Sequence, residues 1–257
     1  MHSVNLASFL SGHVFAFVLL LSRLGGMIML FPGLGEAYVP RRTRLVFALF
    51  LSFLLLEPLL PRLPPLPASG AEMTRLIGEE TLIGLFFGTL IRLMLSALET
   101  AGMMIGLQTG LSNATMLNPA QATQSTLPST FLGMAGILFF FVTGADHFLI
   151  RSLVGFYDLF PPGGAFLPAD MAQTVMAEAN HSFVAGVEIA APFLIIGLLL
   201  YVAMGVLQRL LPSIQVFMLL IPVQIGGGIL LLSLTFAGML TAWLLFFDQS
   251  VADMFKR

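Results

Sequence analysis

The sequence has no cysteine, one tryptophan, three tyrosines and very little charge. Without cysteine there can be no disulfide, thiol nucleophile or thiolate metal site. Charged residues make up 9% of the 257 positions and hydrophobic ones 58%, with mean hydropathy +0.98. A soluble domain carries roughly 25% charged residues, and a soluble chain of this length cannot bury so large an apolar share. A soluble enzyme and a disordered chain are both excluded. The net charge of −2 leaves no basic patch to neutralise phosphates, so nucleic acid is not an expected partner. The 24 phenylalanines suit apolar packing better than interfacial belts, which favour Trp and Tyr. What remains is a polytopic membrane protein.

A helical span needs about 20 apolar residues, so the length holds about six spans and no soluble domain. The fold class expected is all-α, a polytopic integral membrane protein of about six long, partly kinked helices arranged as hairpins. The first span runs from about Leu6 to Phe31 and ends at Phe31-Pro32-Gly33-Leu34-Gly35. No Lys or Arg precedes Arg23 and no small-x-small site follows the apolar run, so this span is expected to be retained. Arg41, Arg42 and Arg44 then gather three of the eleven basic residues. By the positive-inside rule they place this loop in the cytoplasm and the N-terminus outside.

A second span, Leu45 to Leu60, gives way to a stiff proline run through Pro67. The stretch from Glu72 to Leu111 is helical in pattern and about 60 Å long if straight. It must kink, fold back or project beyond the bilayer. Apolar character returns from Phe131 to Val142, breaks at Gly144-Ala145-Asp146-His147 and resumes to Phe160. Two further long stretches follow, Ala169 to Arg209 and from Leu211-Pro212-Ser213 to Phe247. In the last, Gly226-Gly227-Gly228 is the expected bend.

No P-loop, GxGxxG, HExxH, GxSxG or GxGD sequence is present, and no two of the four histidines stand at helical ligand spacing. No catalytic residue, metal or cofactor is expected. Asp146-His147 falls at a span end, where polar groups are cheap. Arg23, Arg92 and Glu99 lie within or near apolar segments, where a charge must face a partner or water. Arg92, seven residues before Glu99 on the same face, is read as an interhelical ion pair or a snorkelling arginine. For Arg23 an ion pair and a charge lining a transport path are both open.

Gly84 and Gly88 share one helix face, and Gly102, Gly106 and Gly110 form a second small-residue stripe suited to close helix packing. Beyond them lies SNATMLNPAQATQSTLPST, Ser112 to Thr130, rich in Asn, Gln, Ser and Thr and wholly uncharged. A gate for unfolded polypeptide must grip cargo neither by charge nor by hydrophobic contact, and such a loop meets that need. Met103, Met104 and Met116 beside it could form a compliant apolar seal. An ordinary extramembrane loop with gap-filling methionines is the other reading.

Several landmarks recur in order along the chain: Arg23-x-Gly25-Gly26, Phe31-Pro32-Gly33, Pro40-x3-Arg44, Gly84/Gly88 and Gly102-x3-Gly106-x-Gln108-x-Gly110. They continue through Asn118-Pro119, Gly144-x-Asp146-His147, Pro161, Leu211-Pro212-Ser213-Ile214-Gln215-Val216-Phe217 and Pro222. In order and spacing the whole chain resembles the FliR family of flagellar type III export-gate subunits, related to the injectisome SctT subunits. It departs from the family pattern at Asn118, where an aspartate is usual, and at Ser213 and Gln215.

The resemblance implies a non-enzymatic subunit that joins FliP-like and FliQ-like chains, with FlhB-like and FlhA-like components nearby, around a channel for unfolded polypeptide in the bacterial inner membrane. It also implies a FliP-like part over 1–168 and a FliQ-like hairpin part over 169–257, within one membrane domain. The plug would comprise Gly110, Ser112, Asn113, Met116, Asn118, Pro119, Gln121 and Gln124, with Met103 and Met104 at a constriction. Arg209, Pro212, Gln215 and Phe217 would mark a cytoplasmic hairpin tip. The rival is a small secondary transporter with a solute site at broken helices, though the two halves carry no clear inverted repeat.

Overall fold

Long apolar runs, three of them with a proline inside, form most of the secondary structure. The computed structural model describes residues 6–112, 126–145, 147, 155–164, 168–210 and 216–254. Among these the chain is all α: α1 (Leu6–Leu30), α2 (Arg41–Leu59), α3 (Gly70–Gln108), α4 (Leu127–Val142), α5 (Pro168–Leu210) and α6 (Val216–Met254). A 3-10 turn, Leu60–Arg62, follows α2, and a short helical stretch occupies 155–159. Five of the six helices are long and apolar enough to cross a membrane, while α4, at 16 residues, is a shorter apolar helix. The protein is a polytopic membrane protein of the class expected.

The helix ends follow local chemistry. The first helix stops at Phe31-Pro32-Gly33, where Gly33 takes φ +78°, and α2 begins directly after Pro40. The proline run then ends α2. On α4, Thr126 is the N-cap, its side chain accepting the Ser129 N–H, with Pro128 in the first turn.

The 39 residues of α3 neither break nor fold back, so the helix is about 58 Å long. At 43 residues α5 also exceeds one bilayer crossing, and Pro192 lies inside it. The helix α6 continues without interruption through Pro222 and Gly226-Gly227-Gly228. The triplet does not break the helix. A Cβ at Gly226 or Gly227 would meet nothing, whereas one at Gly228 would strike the Thr109 side chain, so only the third glycine serves a close helix approach.

The chain divides into two compact units, Met1–Arg92 with Gly144–Ala177, and Leu93–Thr143 with Glu178–Arg257. In the first, α1 packs on the N-terminal half of α3 through small residues. A Cβ at Gly84 would collide with the Arg23 carbonyl, and one at Gly88 would lie 3.0 Å from that of Met27. Leu19, Leu20, Leu24, Phe87, Leu90 and Ile91 are buried there. Phe87 stacks on Phe156 at 4.0 Å and meets Phe160 edge-on at 5.4 Å.

In the second unit the C-terminal half of α3 is the central helix, with Met94, Leu95, Ala97, Leu98, Ala101 and Ile105 all buried. A Cβ at Gly186 of α5 would meet Ala97 and Thr100, and one at Gly197 would meet Gln108, so α5 runs parallel to α3. Gly228 of α6 lies against Thr109, and Trp243 Nε1–H donates to the Met94 carbonyl at 2.9 Å. Thus α6 runs antiparallel to α3 and to α5, and both α5 and α6 pack on α3. Phe140 of α4 meets Phe247 edge-on at 5.6 Å.

Candidate functional site

The site begins with the glycine stripe of α3. At Gly102 an added Cβ would run into Ser129 and would lie 2.8 Å from the Pro128 carbonyl carbon. At Gly106 it would lie 2.7 Å from the Thr126 side chain and 3.0 Å from Ser112 Oγ. Backbones this close can exchange polar contacts directly. Thr126 Oγ1 donates to the Gly102 carbonyl at 3.1 Å, and Ser129 Oγ to the Glu99 carbonyl at 2.9 Å.

The other end of the loop returns to the same stripe. Gly110 takes φ +73°, a conformation that closes a helix at little cost only for glycine. Its N–H donates to the Leu107 carbonyl at 3.4 Å, and the Ser112 N–H reaches back to the Gly106 carbonyl at 3.1 Å. Ser112 and Thr126 therefore bracket the thirteen residues 113–125 and are both fastened to one face of α3. Asn113, Met116, Asn118, Pro119, Gln121 and Gln124 lie outside the described residues.

Around this base the side chains are polar and neutral. Ser112, Thr109 and Gln224 are buried, Gln224 one turn before Gly228 on α6. Thr109 Oγ1 satisfies itself on the Ile105 carbonyl at 2.8 Å. Gln108 Oε1 and Gln224 Nε2 are buried with no hydrogen-bond partner among the described residues. Buried amides normally find partners, so this end of α3 is a polar place inside an apolar unit. Met103 is 39% exposed, Leu107 is 64% exposed on the same face, and Met104 is half-buried.

The charges sort into pairs. Arg23 and Glu80 are buried together: Nε–H donates to Glu80 Oε2 at 2.6 Å and an Nη2–H to Oε1 at 2.8 Å. The same Nη2 donates to the Phe160 carbonyl at 2.8 Å and Nη1 to that of Phe156 at 3.4 Å. The guanidinium carbon lies 4.0 Å from the Tyr157 ring centroid. One arginine on α1 thus ties α3 to the segment after residue 154. Arg92 forms its ion pair with Glu36 of the α1–α2 turn. The Glu99 side chain packs against Gly133 of α4, whose added Cβ would lie 3.3 Å from Glu99 Cγ.

Sequence reasoning missed Glu80 and Glu36 as partners, because the spacings of 57 and 56 residues carry no local signal. Thr126 and Ser129 were readable as an N-cap pair ahead of an apolar run, but not as anchors on α3. At the hairpin, Arg209 is exposed in the last turn of α5 and Phe217 lies in the first turn of α6. Pro212 and Gln215, like Asp146, lie outside the described residues.

Residues 14–250 match the family model described as Bacterial export proteins, family 1. The flagellar biosynthetic protein FliR of Caulobacter vibrioides is 34% identical over 230 residues, covering 90% of this chain and 92% of that one. The protein of the same name from Escherichia coli K12 is 28% identical over 218 residues, covering 83% and 81%. The Yop proteins translocation protein T of Yersinia pestis is 29% identical over 178 residues, 68% of each chain. With the model spanning nearly the whole chain and the membrane helices in place, this protein belongs to family 1 of the bacterial export proteins.

Proposed function

We propose that the chain is a non-enzymatic subunit of the flagellar type III protein export gate in the bacterial inner membrane, where it helps assemble and close a channel for unfolded polypeptide. Its partners are FliP-like and FliQ-like chains, with FlhB-like and FlhA-like components beside them. Residues 1–168 supply the FliP-like part and residues 169–257 the FliQ-like hairpin. The relatives named flagellar biosynthetic protein FliR support the flagellar assignment over the injectisome one.

The observation that carries the closing role is the base of the uncharged loop. Ser112, through its backbone N–H, and Thr126, through its hydroxyl, hold its two ends to the backbone carbonyls of Gly106 and Gly102. A plug needs this combination of a fixed root and a tip that attracts cargo neither by charge nor by apolar surface. Met103 and Leu107, exposed beside the root, supply a flexible apolar rim.

Deleting residues 113–124 leaves the root in place and tests the plug directly. The expected result is a gate that still assembles with its partners but leaks small ions across the membrane. An assembled gate with an unchanged leak refutes the closing role. For assembly the test is Gly106→Leu, which forces Thr126 away from α3 and should abolish co-purification with FliP-like partners. Complex at normal yield would refute a part for the stripe.

A further inference from the structure

Between the C-terminal half of α1 and the start of α2 lies a cavity of about 510 Å³, lined by Leu21, Gly25, Ile28, Met29, Leu45 and Ala48, with Arg41 and Arg44 at one end. The volume falls within the range of small-molecule sites, about 300–1,000 Å³. Its composition is segregated: the lining is apolar or small except for the two arginines, and it includes no carboxylate. The nearby Glu36 carboxylate is engaged by Arg92.

Arg44 is held in place by donating from Nη2 to the carbonyls of Glu36 and Val39, while its Nε is buried and has no hydrogen-bond partner among the described residues. Arg41 is exposed in the first turn of α2. The N-cap of that helix is Pro40, whose side chain makes no capping bond. The N-terminus of α2 and the two arginines, Arg41 and Arg44, stand at one end of the cavity, and each favours an anion.

Below the arginines the wall is continuous hydrocarbon. Leu21 to Met29 covers about 12 Å of α1 at the helical rise. A Cβ at Gly25 would meet nothing within 4 Å, so the wall is open at that point. Anionic head plus hydrocarbon tail is the chemistry of an acidic phospholipid, and these two helices are long and apolar enough to be immersed in such lipid. We propose that this groove binds one anionic phospholipid, with its phosphate on Arg41 and Arg44 and an acyl chain along Gly25, Ile28 and Leu45.

The test is native mass spectrometry of the full chain, alone and with its co-purified partners, in detergent supplemented with phosphatidylglycerol, phosphatidylcholine or inorganic phosphate. Phosphatidylglycerol should be retained over phosphatidylcholine, with Arg41→Ala lowering its retention about fivefold. Arg42→Ala, which removes the same charge one residue from the groove, should change retention less than about twofold. Gly25→Phe should fill the chain site and also lower retention; Arg41 is exposed, so its variant keeps the test valid if Gly25→Phe fails to fold. Equal retention of the two lipids, equal losses at Arg41 and Arg42, or phosphate alone competing fully would each overturn the assignment. So would a partner helix cross-linking into the groove of the assembled complex with no lipid retained.

Discussion

Removing Arg23 should be among the most damaging single changes in the first unit. The guanidinium and the Glu80 carboxylate are 4% and 1% exposed, so neither has water to fall back on. Arg23→Met keeps the length and apolar stem but leaves Glu80 buried and uncompensated, a loss of about 3–5 kcal/mol. It also strips one donor from each of the Phe156 and Phe160 carbonyls. Phe156 keeps the Phe160 N–H at 3.0 Å, so the main orphan is the Phe160 carbonyl. Arg23→Met/Glu80→Met removes both charges and should recover about 2 kcal/mol of the loss. The remaining deficit should be about 1–3 kcal/mol, the cost of that carbonyl. Circular dichroism across a dodecyl sulfate titration in mixed micelles would measure all four corners of the cycle. At 1.4 kcal/mol per decade, the single variant should shift the unfolding equilibrium by about two to three and a half decades. A double variant no better than Arg23→Met, or a single variant losing under about 1 kcal/mol, would refute the buried-pair reasoning.

Other expectations follow from the close helix approaches. Gly102→Ala places a methyl against the Ser129 backbone and should cost about 1–3 kcal/mol in the same titration, whereas Gly227→Ala, with open space around it, should gain up to about 1 kcal/mol. Equal effects at the two sites would contradict the packing described. Trp243 is the chain's only tryptophan and is 1% exposed. Its emission should be blue-shifted and resistant to acrylamide, as fluorescence quenching would show. Trp243→Phe removes the donor to Met94 and should cost about 1 kcal/mol by denaturant titration.

Helix positions were legible because apolar runs and their Pro/Gly stops are local signals: Phe31-Pro32-Gly33 ends α1 and the proline run after Leu60 ends α2. The glycine stripe was legible from its four-residue spacing, since that spacing places Gly102 and Gly106 on one face. Length alone left α3 free to kink, fold back or project, and only tertiary packing distinguishes a continuous helix. In the sequence the glycine triplet of α6 stands out as a weak point, because helix propensity counts all three residues alike. In the fold Gly228 is used for contact with Thr109, and the surrounding helix stays unbroken. Ion pairs were least legible. Arg92 stands seven residues from Glu99 yet pairs with Glu36, and Arg23 with Glu80, choices made by chain topology and burial rather than by spacing.

The root of the loop has a consequence for how such a closure could be driven. Gln108, Thr109, Ser112, Thr126 and Gln224 neither gain nor lose a proton across the physiological range. Under the closing role proposed above, acidity would have no titratable group to act on among these five side chains. An electrochemical gradient that opened such a seal would act first on some other element and arrive here as mechanical displacement.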